Sequence, residues 1–180
     1  MSASVEHEVL PSLARRAVET FVLRHKVVEP ERVERSSPLS RRSACFVCIK
    51  TEGRELRGCV GTIEPEHDSL AAEVVSNAIK AATRDPRFRP VSADELSLLR
   101  YSVDVLGGLE PATLEDLDPA VFGVVVVDGS GARRGLLLPN IDGIGTASQQ
   151  VGVAARKAGI GPREAVKLFR FRTRRFQEPA

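Results

Sequence analysis

One short segment of the chain combines a guanidinium, a thiol and two glycines. Residues 56–62 have the sequence Leu-Arg-Gly-Cys-Val-Gly-Thr and form the second arm of a predicted hairpin. Side chains two positions apart on a strand share a face, so Arg57 and Cys59 are expected to point the same way. A cation near a thiol favours the thiolate, the reactive form of cysteine. Glycine in a strand marks a close approach to the backbone, so Gly58 and Gly61 indicate room for a neighbouring group.

Two interpretations of this segment remain open. In the functional one, Arg57 holds an anionic group or a partner, and Cys59 acts as a catalytic nucleophile, a redox group or a close contact. Gly58, Gly61 and Thr62 belong to the same candidate ligand-binding site. In the structural one, Cys59 is a buried small hydrophobe, as free cysteine commonly is, and Arg57 pairs with a carboxylate.

A second motif, Asp85-Pro86-Arg87-Phe88, follows a predicted helix. Proline ends the helix, Asp85 can accept backbone hydrogen bonds, and Phe88 can enter the core, which together describe a structural turn. The alternative is that Asp85 and Arg87 line the same cleft as Arg57. Arg87 is therefore retained as a candidate ligand-binding residue.

The other cysteines give no metal site. Cys45 and Cys48 project to opposite faces of a strand, and Cys59 stands alone downstream. Structural zinc usually requires four nitrogen or sulfur ligands, so no metal or cofactor is predicted. Cys45 and Cys48 are interpreted as buried small hydrophobes, and an odd total of three cysteines is too few for a disulfide scaffold.

Two further features have weak functional interpretations. His67 is close enough in sequence to Cys59 to act as a base, but no Cys-His-acid order supports a hydrolase triad. Four arginines alternate near the C-terminus and could contact phosphates, or they could form the wet face of a sheet: Arg170, Arg172, Arg174 and Arg175. The chain has no tryptophan and one tyrosine, which counts against base stacking, so nucleic acid is not favoured as a partner.

Composition limits the class of protein. The chain has 180 residues, 42% hydrophobic and 28% charged, with a net charge of +2, as an ordinary globular domain would. Residues 1–6 lack the basic start and apolar stretch of a signal peptide, and no apolar run is long enough to span a membrane. These features predict a soluble, reduced, cytoplasmic protein.

The hydrophobic periodicity predicts the elements that position the site. Helices are predicted at residues 10–22 and 70–82, capping boxes at Ser92 and Thr146 open two more, and Gly161-Pro162 begins another. Hairpins are predicted at 44–61 and 122–138, with strands at 101–105 and 169–173. Residues 29–43 and 110–118 are interpreted as loops. The order favours an α+β fold with a largely antiparallel sheet flanked by helices.

The motifs together resemble the AMMECR domain family, whose prokaryotic members are called AmmeMemoRadiSam system protein A. The resemblance rests on residues 56–62 and 85–90, supported by Leu-Ala-Arg-Arg-Ala-Val at 13–18, Gly-Leu-Leu-Leu-Pro at 135–139 and Lys-Ala-Gly-Ile at 157–160. It covers about residues 8–177, which are taken as one AMMECR-type domain.

The resemblance implies a larger antiparallel-sheet lobe and a smaller lobe. It also implies association with a Memo-like protein and a radical SAM protein, without naming a substrate. The leading hypothesis is a component of a multi-protein modification system that binds a small anionic ligand or a partner at Arg57 and Cys59. The alternatives are an RNA-associated module using the basic C-terminal strand and a stand-alone thiol-dependent enzyme.

Overall fold

The computed structural model describes residues 3–29 and 37–179, which form two compact units. One contains the chain up to Val105 and the chain from Arg174 onward, and the smaller one contains Leu106–Thr173. Each unit is built around a four-stranded sheet, and the strand pairs are antiparallel. The predicted α+β class, with a largely antiparallel sheet and flanking helices, is confirmed.

The larger unit places the LRGCVGT segment on an exposed sheet edge. Its elements are α1 (Ala3–Arg24), β1 (Cys45–Thr51), β2 (Leu56–Gly61), α2 (Leu70–Thr83), β3 (Leu99–Leu106) and β8 (Thr173–Gln177), with 3₁₀ helices at Pro38–Ser40 and Ala93–Leu98. The strand order is β2-β1-β3-β8, so β2 has a neighbour on one side only. Its backbone groups on the other side need partners from outside the sheet.

Two helices bury their apolar faces against this sheet. Val74 and Ala78 of α2 are fully buried, as are Ala14 and Val18 of α1. Val47 of β1 lies in the same core. The three- and four-residue spacing that predicted these helices is therefore the spacing of their core-facing side chains.

The smaller unit contains β4 (Glu110–Ala112), β5 (Gly123–Asp128), β6 (Arg134–Leu137), α3 (Ala147–Lys157) and β7 (Val166–Phe171), with strand order β4-β7-β5-β6. The predicted capping box at Thr146 and Gln149 opens α3, and Gly159 follows its end at a φ of +66°. The left-handed conformation at Gly159 is the one that glycine adopts without steric cost.

Several helix boundaries differ from the sequence-based expectation. The first helix, predicted from residue 10, starts at Ala3 and contains Pro11 in its interior. Ser69 caps α2 by accepting a hydrogen bond from the Ala72 N–H, directly before the predicted start at residue 70. Gly161-Pro162 opens no helix and forms a turn, in which the Glu164 carboxylate accepts the Gly161 N–H at 2.7 Å.

Two strand predictions also change. The acidic segment expected to be a loop at 110–118 contributes β4, which pairs with β7. The single last strand is two strands in different sheets, separated by Arg172. The predicted loop at 29–43 and the signal-peptide interpretation of residues 1–6 fall partly on residues outside the described ranges. Among the described residues, no helix has the length and apolar character needed to cross a membrane.

Candidate functional site

The two glycines of the LRGCVGT segment make room for the protein's own atoms. A Cβ at Gly58 would lie 2.2 Å from the carbonyl oxygen of Ala81 in α2. A Cβ at Gly61 would lie 2.2 Å from the ring of Phe46. The close approach predicted from glycine is therefore present, but the approaching groups are a helix backbone and an aromatic ring. At both glycines the space that a side chain would need is filled by the protein itself.

The guanidinium of Arg57 donates to protein acceptors from all three nitrogens. Its Nε and Nη2 bond the Glu95 carboxylate at 2.6 and 2.9 Å, and its Nη1 donates to the backbone carbonyl of Arg89 at 3.0 Å. The Arg57 side chain is only 14% exposed. Of the two interpretations of Arg57, the structure supports pairing with a carboxylate. Arg57 therefore holds the backbone at Arg89 in place, and most of its guanidinium is shielded from solvent.

Glu95 receives donors from two directions. Besides Arg57, it accepts the backbone N–H and the hydroxyl of Ser92 at 3.0 and 2.9 Å. The bond from the Ser92 N–H is the glutamate half of the predicted capping box. The Arg57 guanidinium, with a smaller contribution from Ser92, lowers the pKa of Glu95 to about 2. Glu95 is therefore ionised at neutral pH and joins β2 to the start of the 3₁₀ helix.

The Asp85-Arg87 pair holds the open edge of β2. The Asp85 carboxylate accepts the backbone N–H of Cys59 at 2.8 Å and the Arg87 Nη2 and Nε at 2.7 and 2.9 Å. Asp85 is 4% exposed. The hydrogen bonds from Arg87, reinforced by the Cys59 N–H, lower the pKa of Asp85 to about 2. The turn predicted at this motif and its contact with residues 56–62 are both present.

Phe88 lies between two cations. The Arg57 and Arg87 guanidinium carbons are 5.9 and 5.5 Å from the centre of its ring, within the range of cation–π attraction. Phe88 is half-buried, and Arg87 and Arg89 are exposed. Together they line a groove of about 610 Å³. We call this the arginine–phenylalanine surface and define it by Arg57, Arg87, Phe88, Arg89, Pro90, Ser92 and Glu95.

Cys59 forms a disulfide with Cys48, directly opposite it on β1. This corrects three expectations, namely that Cys48 is a buried hydrophobe, that Cys59 carries a free thiol and that the cysteines are all reduced. Cys45 alone behaves as predicted, because it is fully buried and burial raises its pKa to about 12. Within residues 3–29 and 37–179, no group of acidic, histidine or cysteine side chains is arranged to hold a metal.

Thr62 is buried and serves the packing of α2. Its hydroxyl donates to the carboxylate of Glu73, which is itself 0% exposed. The other oxygen of Glu73 accepts the backbone N–H groups of Glu66 and His67, each at 2.9 Å. Sequence reasoning missed Glu73. The available signal was its position three residues after Leu70 and four before Asn77, on the buried face of α2.

The remaining candidates lie elsewhere. His67 lines a groove between α1 and α2 with Phe21 and Val75, and the groove that Cys48 lines is a different one. Arg170 pairs with Glu110 at 3.0 Å, and Arg175 pairs with Asp104 at 2.8 Å. Arg172 and Arg174 lie over the rings of Phe122 and Phe176, at 4.6 and 5.5 Å from the ring centres. Two of the four arginines therefore have carboxylate partners and the other two contact aromatic rings.

Comparison with known proteins places the chain in a family. Residues 11–176 match the family model described as AMMECR1. The chain belongs to the AMMECR1 family. It is similar to a protein of Thermotoga maritima, with 44% identity over 91% of this chain and 94% of the relative. A protein of Clostridium acetobutylicum is 39% identical over 98% of this chain, but the match covers only 37% of that longer protein.

A solved structure supports the AMMECR1 fold. The crystal structure of an uncharacterized protein from Pyrococcus horikoshii superposes with a TM-score of 0.85 and 29% sequence identity. The match covers 95% of this chain and 90% of the other. The helices and sheets described above are thus also found in a solved structure of similar sequence.

Proposed function

We propose that this protein is a component of a multi-protein modification system and that its arginine–phenylalanine surface binds a partner or a small anionic ligand. The observation that carries the proposal is the convergence of residues 56–62 and 85–95 on one surface. In this proposal Arg87, Phe88 and Arg89 contact the bound partner or ligand. Arg57 and Glu95 form an ion pair that positions these three residues.

The charges of this surface favour an anionic or acidic group. Arg57, Arg87 and Arg89 supply three cations, while Asp85 and Glu95 supply two carboxylates. The Arg87 side chain remains 54% exposed although it pairs with Asp85. Arg89 is exposed, and no described residue pairs with its guanidinium. Exposed arginines beside an aromatic ring are typical of interface residues that bind acidic partners.

The proposed partners are a Memo-like protein and a radical SAM protein. Their support is membership of the AMMECR1 family together with the resemblance of residues 56–62 and 85–90 to the prokaryotic branch of that family. Under this proposal the surface presents a ligand or docks a partner during a reaction that the partner proteins catalyse. No thiol chemistry of this chain is needed.

Native co-purification tests the proposal. The tagged chain is expressed in its own host, and retained proteins are identified by mass spectrometry. The same experiment is done with an Arg87→Ala/Arg89→Ala variant. The matched control is Arg133→Ala/Arg163→Ala, because Arg133 also pairs with a nearly buried aspartate, Asp128, and Arg163 is exposed.

The expected result is that wild type and control retain a Memo-like and a radical SAM protein, while the Arg87/Arg89 variant loses them. Thermal shift with inorganic phosphate as the probe tests the anionic ligand, with the same variants. Equal retention by both variants, together with equal phosphate response, would reject the surface. Retention of neither partner by wild type would reject the modification system.

A further inference from the structure

We infer that Cys48 and Cys59 form a redox site that exchanges its disulfide with the two thiols of a small or protein dithiol. The site lies on the face of the larger unit's sheet that is opposite α2. The inference is independent of the proposed partner surface, because it concerns bond exchange at two sulfur atoms.

The backbone geometry keeps the two cysteines adjacent whether or not the bond is present. Cys48 and Cys59 are register partners on β1 and β2, with Cα atoms 4.1 Å apart. The Cys59 N–H points to Asp85 and its carbonyl faces Arg87, so this is a pair without mutual backbone hydrogen bonds. Such pairs bring their side chains closest. The strand partners of β1 on both sides fix this register independently of the sulfur bond.

The pair is accessible, unlike the third cysteine. Cys48 lines a groove of about 440 Å³, and Cys48 and Cys59 are both partly exposed. Cys45, three residues earlier, faces the core and is fully buried. Thiol–disulfide exchange requires access of an attacking thiolate to one sulfur of the bond. The chain therefore separates one inert cysteine from two that a dithiol can reach.

The groove beside Cys48 is lined by more basic than acidic side chains, with Lys50, Arg54, Arg100 and Arg175 against Glu52 and Glu178. Lys50 follows two positions later on the same face of β1, and no described side chain pairs with it. Arg100 and Arg175 also line the groove, each with a carboxylate partner, Glu52 and Asp104. Positive charge near a cysteine lowers the cost of the thiolate, both for the attacking group and for the leaving sulfur.

A dithiol supplies the two electrons that reduce the bond between Cys48 and Cys59. Its first thiolate attacks Sγ of Cys48, which lies in the groove, and forms a mixed disulfide. The bond between the two Sγ atoms breaks, and the electron pair leaves with Cys59, which takes a proton from water. The second thiol of the reductant loses its proton to water, and the resulting thiolate attacks the reductant's first sulfur in the mixed disulfide. The bond from that sulfur to Cys48 breaks, Cys48 leaves with the electron pair and takes a proton from water, and the reductant becomes a disulfide.

The full-length protein is equilibrated in buffers with increasing ratios of reduced to oxidised dithiothreitol. It is then acid-quenched and labelled with two distinguishable alkylating reagents before and after unfolding. Cys48 and Cys59 are expected to convert together between the linked and the doubly labelled form while circular dichroism stays native. Cys45 is expected to label only after unfolding. A pair that opens only when the protein unfolds, or never forms in oxidised buffer, would overturn the inference.

Single variants identify the attacked sulfur. Cys59→Ser leaves Cys48 without a resolving thiol, so oxidised glutathione should be captured there about tenfold faster than by a thiol of unperturbed pKa. Cys48→Ser should capture glutathione more slowly, and Cys45→Ser should cycle as wild type does. Faster capture by Cys48→Ser than by Cys59→Ser would contradict the assignment of Cys48. Capture by both at the rate of an unperturbed thiol would contradict the cationic activation.

Discussion

The carboxylate of Asp85 occupies the place of a missing strand beside Cys59. It accepts the Cys59 N–H at 2.8 Å, and Arg87 Nη2 approaches the Cys59 carbonyl at 3.4 Å. An ion pair from the loop after α2 thus bonds both backbone groups that the sheet edge leaves open. The two sequence motifs are joined through the backbone of one and the side chains of the other.

Replacing the charge of Asp85 is expected to weaken the fold at neutral pH. In Asp85→Asn the amide cannot bond both Cys59 and the fork of Arg87, so we expect the free energy of unfolding to fall by about 1–2 kcal/mol. This loss is smaller than for a fully buried ion pair, because solvent screens the exposed part of the Arg87 guanidinium. Urea unfolding at pH 7 measures it. Asp94→Asn, at an exposed carboxylate in the 3₁₀ helix, is the control and should change stability little.

The same variant has a pH signature. Asp85 has an ordinary pKa of 3.8, and in the folded protein its pKa is about 2. Because its pKa is lower in the folded than in the unfolded protein, Asp85 contributes its full stabilisation at pH values above about 4. This contribution is lost as the pH falls from about 4 to about 2. The stability difference between wild type and Asp85→Asn should shrink over that interval. A difference that stays constant from pH 7 to pH 2 would argue against the ion pair as its source.

The contact of β2 with α2 predicts intolerance of any side chain at position 58. Gly58→Ala places a methyl group 2.2 Å from the Ala81 carbonyl oxygen, a backbone atom that cannot rotate away. We expect a loss of about 1–3 kcal/mol from overpacking. Denaturant unfolding tests this against Gly108→Ala, because a Cβ at Gly108 meets nothing within 4 Å. Equal stability of the two variants would refute the close approach.

A double-mutant cycle should separate the Arg57–Glu95 pair from an exposed pair. We expect a coupling energy of about 1–2 kcal/mol for Arg57→Ala with Glu95→Gln, because this charged pair is bidentate and half-buried. The control cycle uses Arg100 and Glu52, whose side chains are 40% and 53% exposed. Exposed pairs of this kind typically couple by about 0.2–1 kcal/mol. Equal coupling energies in the two cycles would contradict the positioning role of Arg57.

Glu73 is expected to be more sensitive than any surface glutamate. Its two oxygens accept donors from Thr62, Glu66 and His67, whereas a glutamine offers only one acceptor oxygen. Glu73→Gln should therefore lower the free energy of unfolding by about 1–3 kcal/mol. Glu66→Gln provides the comparison, since that side chain is 57% exposed and pairs with Lys80. A larger loss of unfolding free energy in Glu66→Gln than in Glu73→Gln would show that the buried carboxylate does not stabilise the segment from Thr62 to His67.

Local sequence patterns predicted many of the elements. The capping boxes at Ser92 and Thr146 open helices where expected, because a cap is satisfied within four residues of chain. The buried faces of α1 and α2 also follow from a local pattern, because residues three and four positions apart lie on the same side of a helix. The last strand was less predictable. Alternation continues through Phe169, Phe171 and Thr173, and nothing in it marks the point at which the chain leaves one sheet for another.

The sequence by itself determined which residues belong to short-range structure and which family motifs are present. From the alternation of a regular strand it predicted Arg57 and Cys59 on one face. The pairing of β1 with β2 shifts register at this point, because Ile49 pairs with Gly58 and Lys50 with Leu56, so that Arg57 has no partner on β1. Only the tertiary structure decided the partners of Arg57 and Cys59. Arg57 pairs with Glu95, 38 residues later, and Cys59 bonds Cys48 across the hairpin. Charge pairing and sulfur bonding depend on distances between segments, and folding brings those segments together through packing that no local pattern encodes.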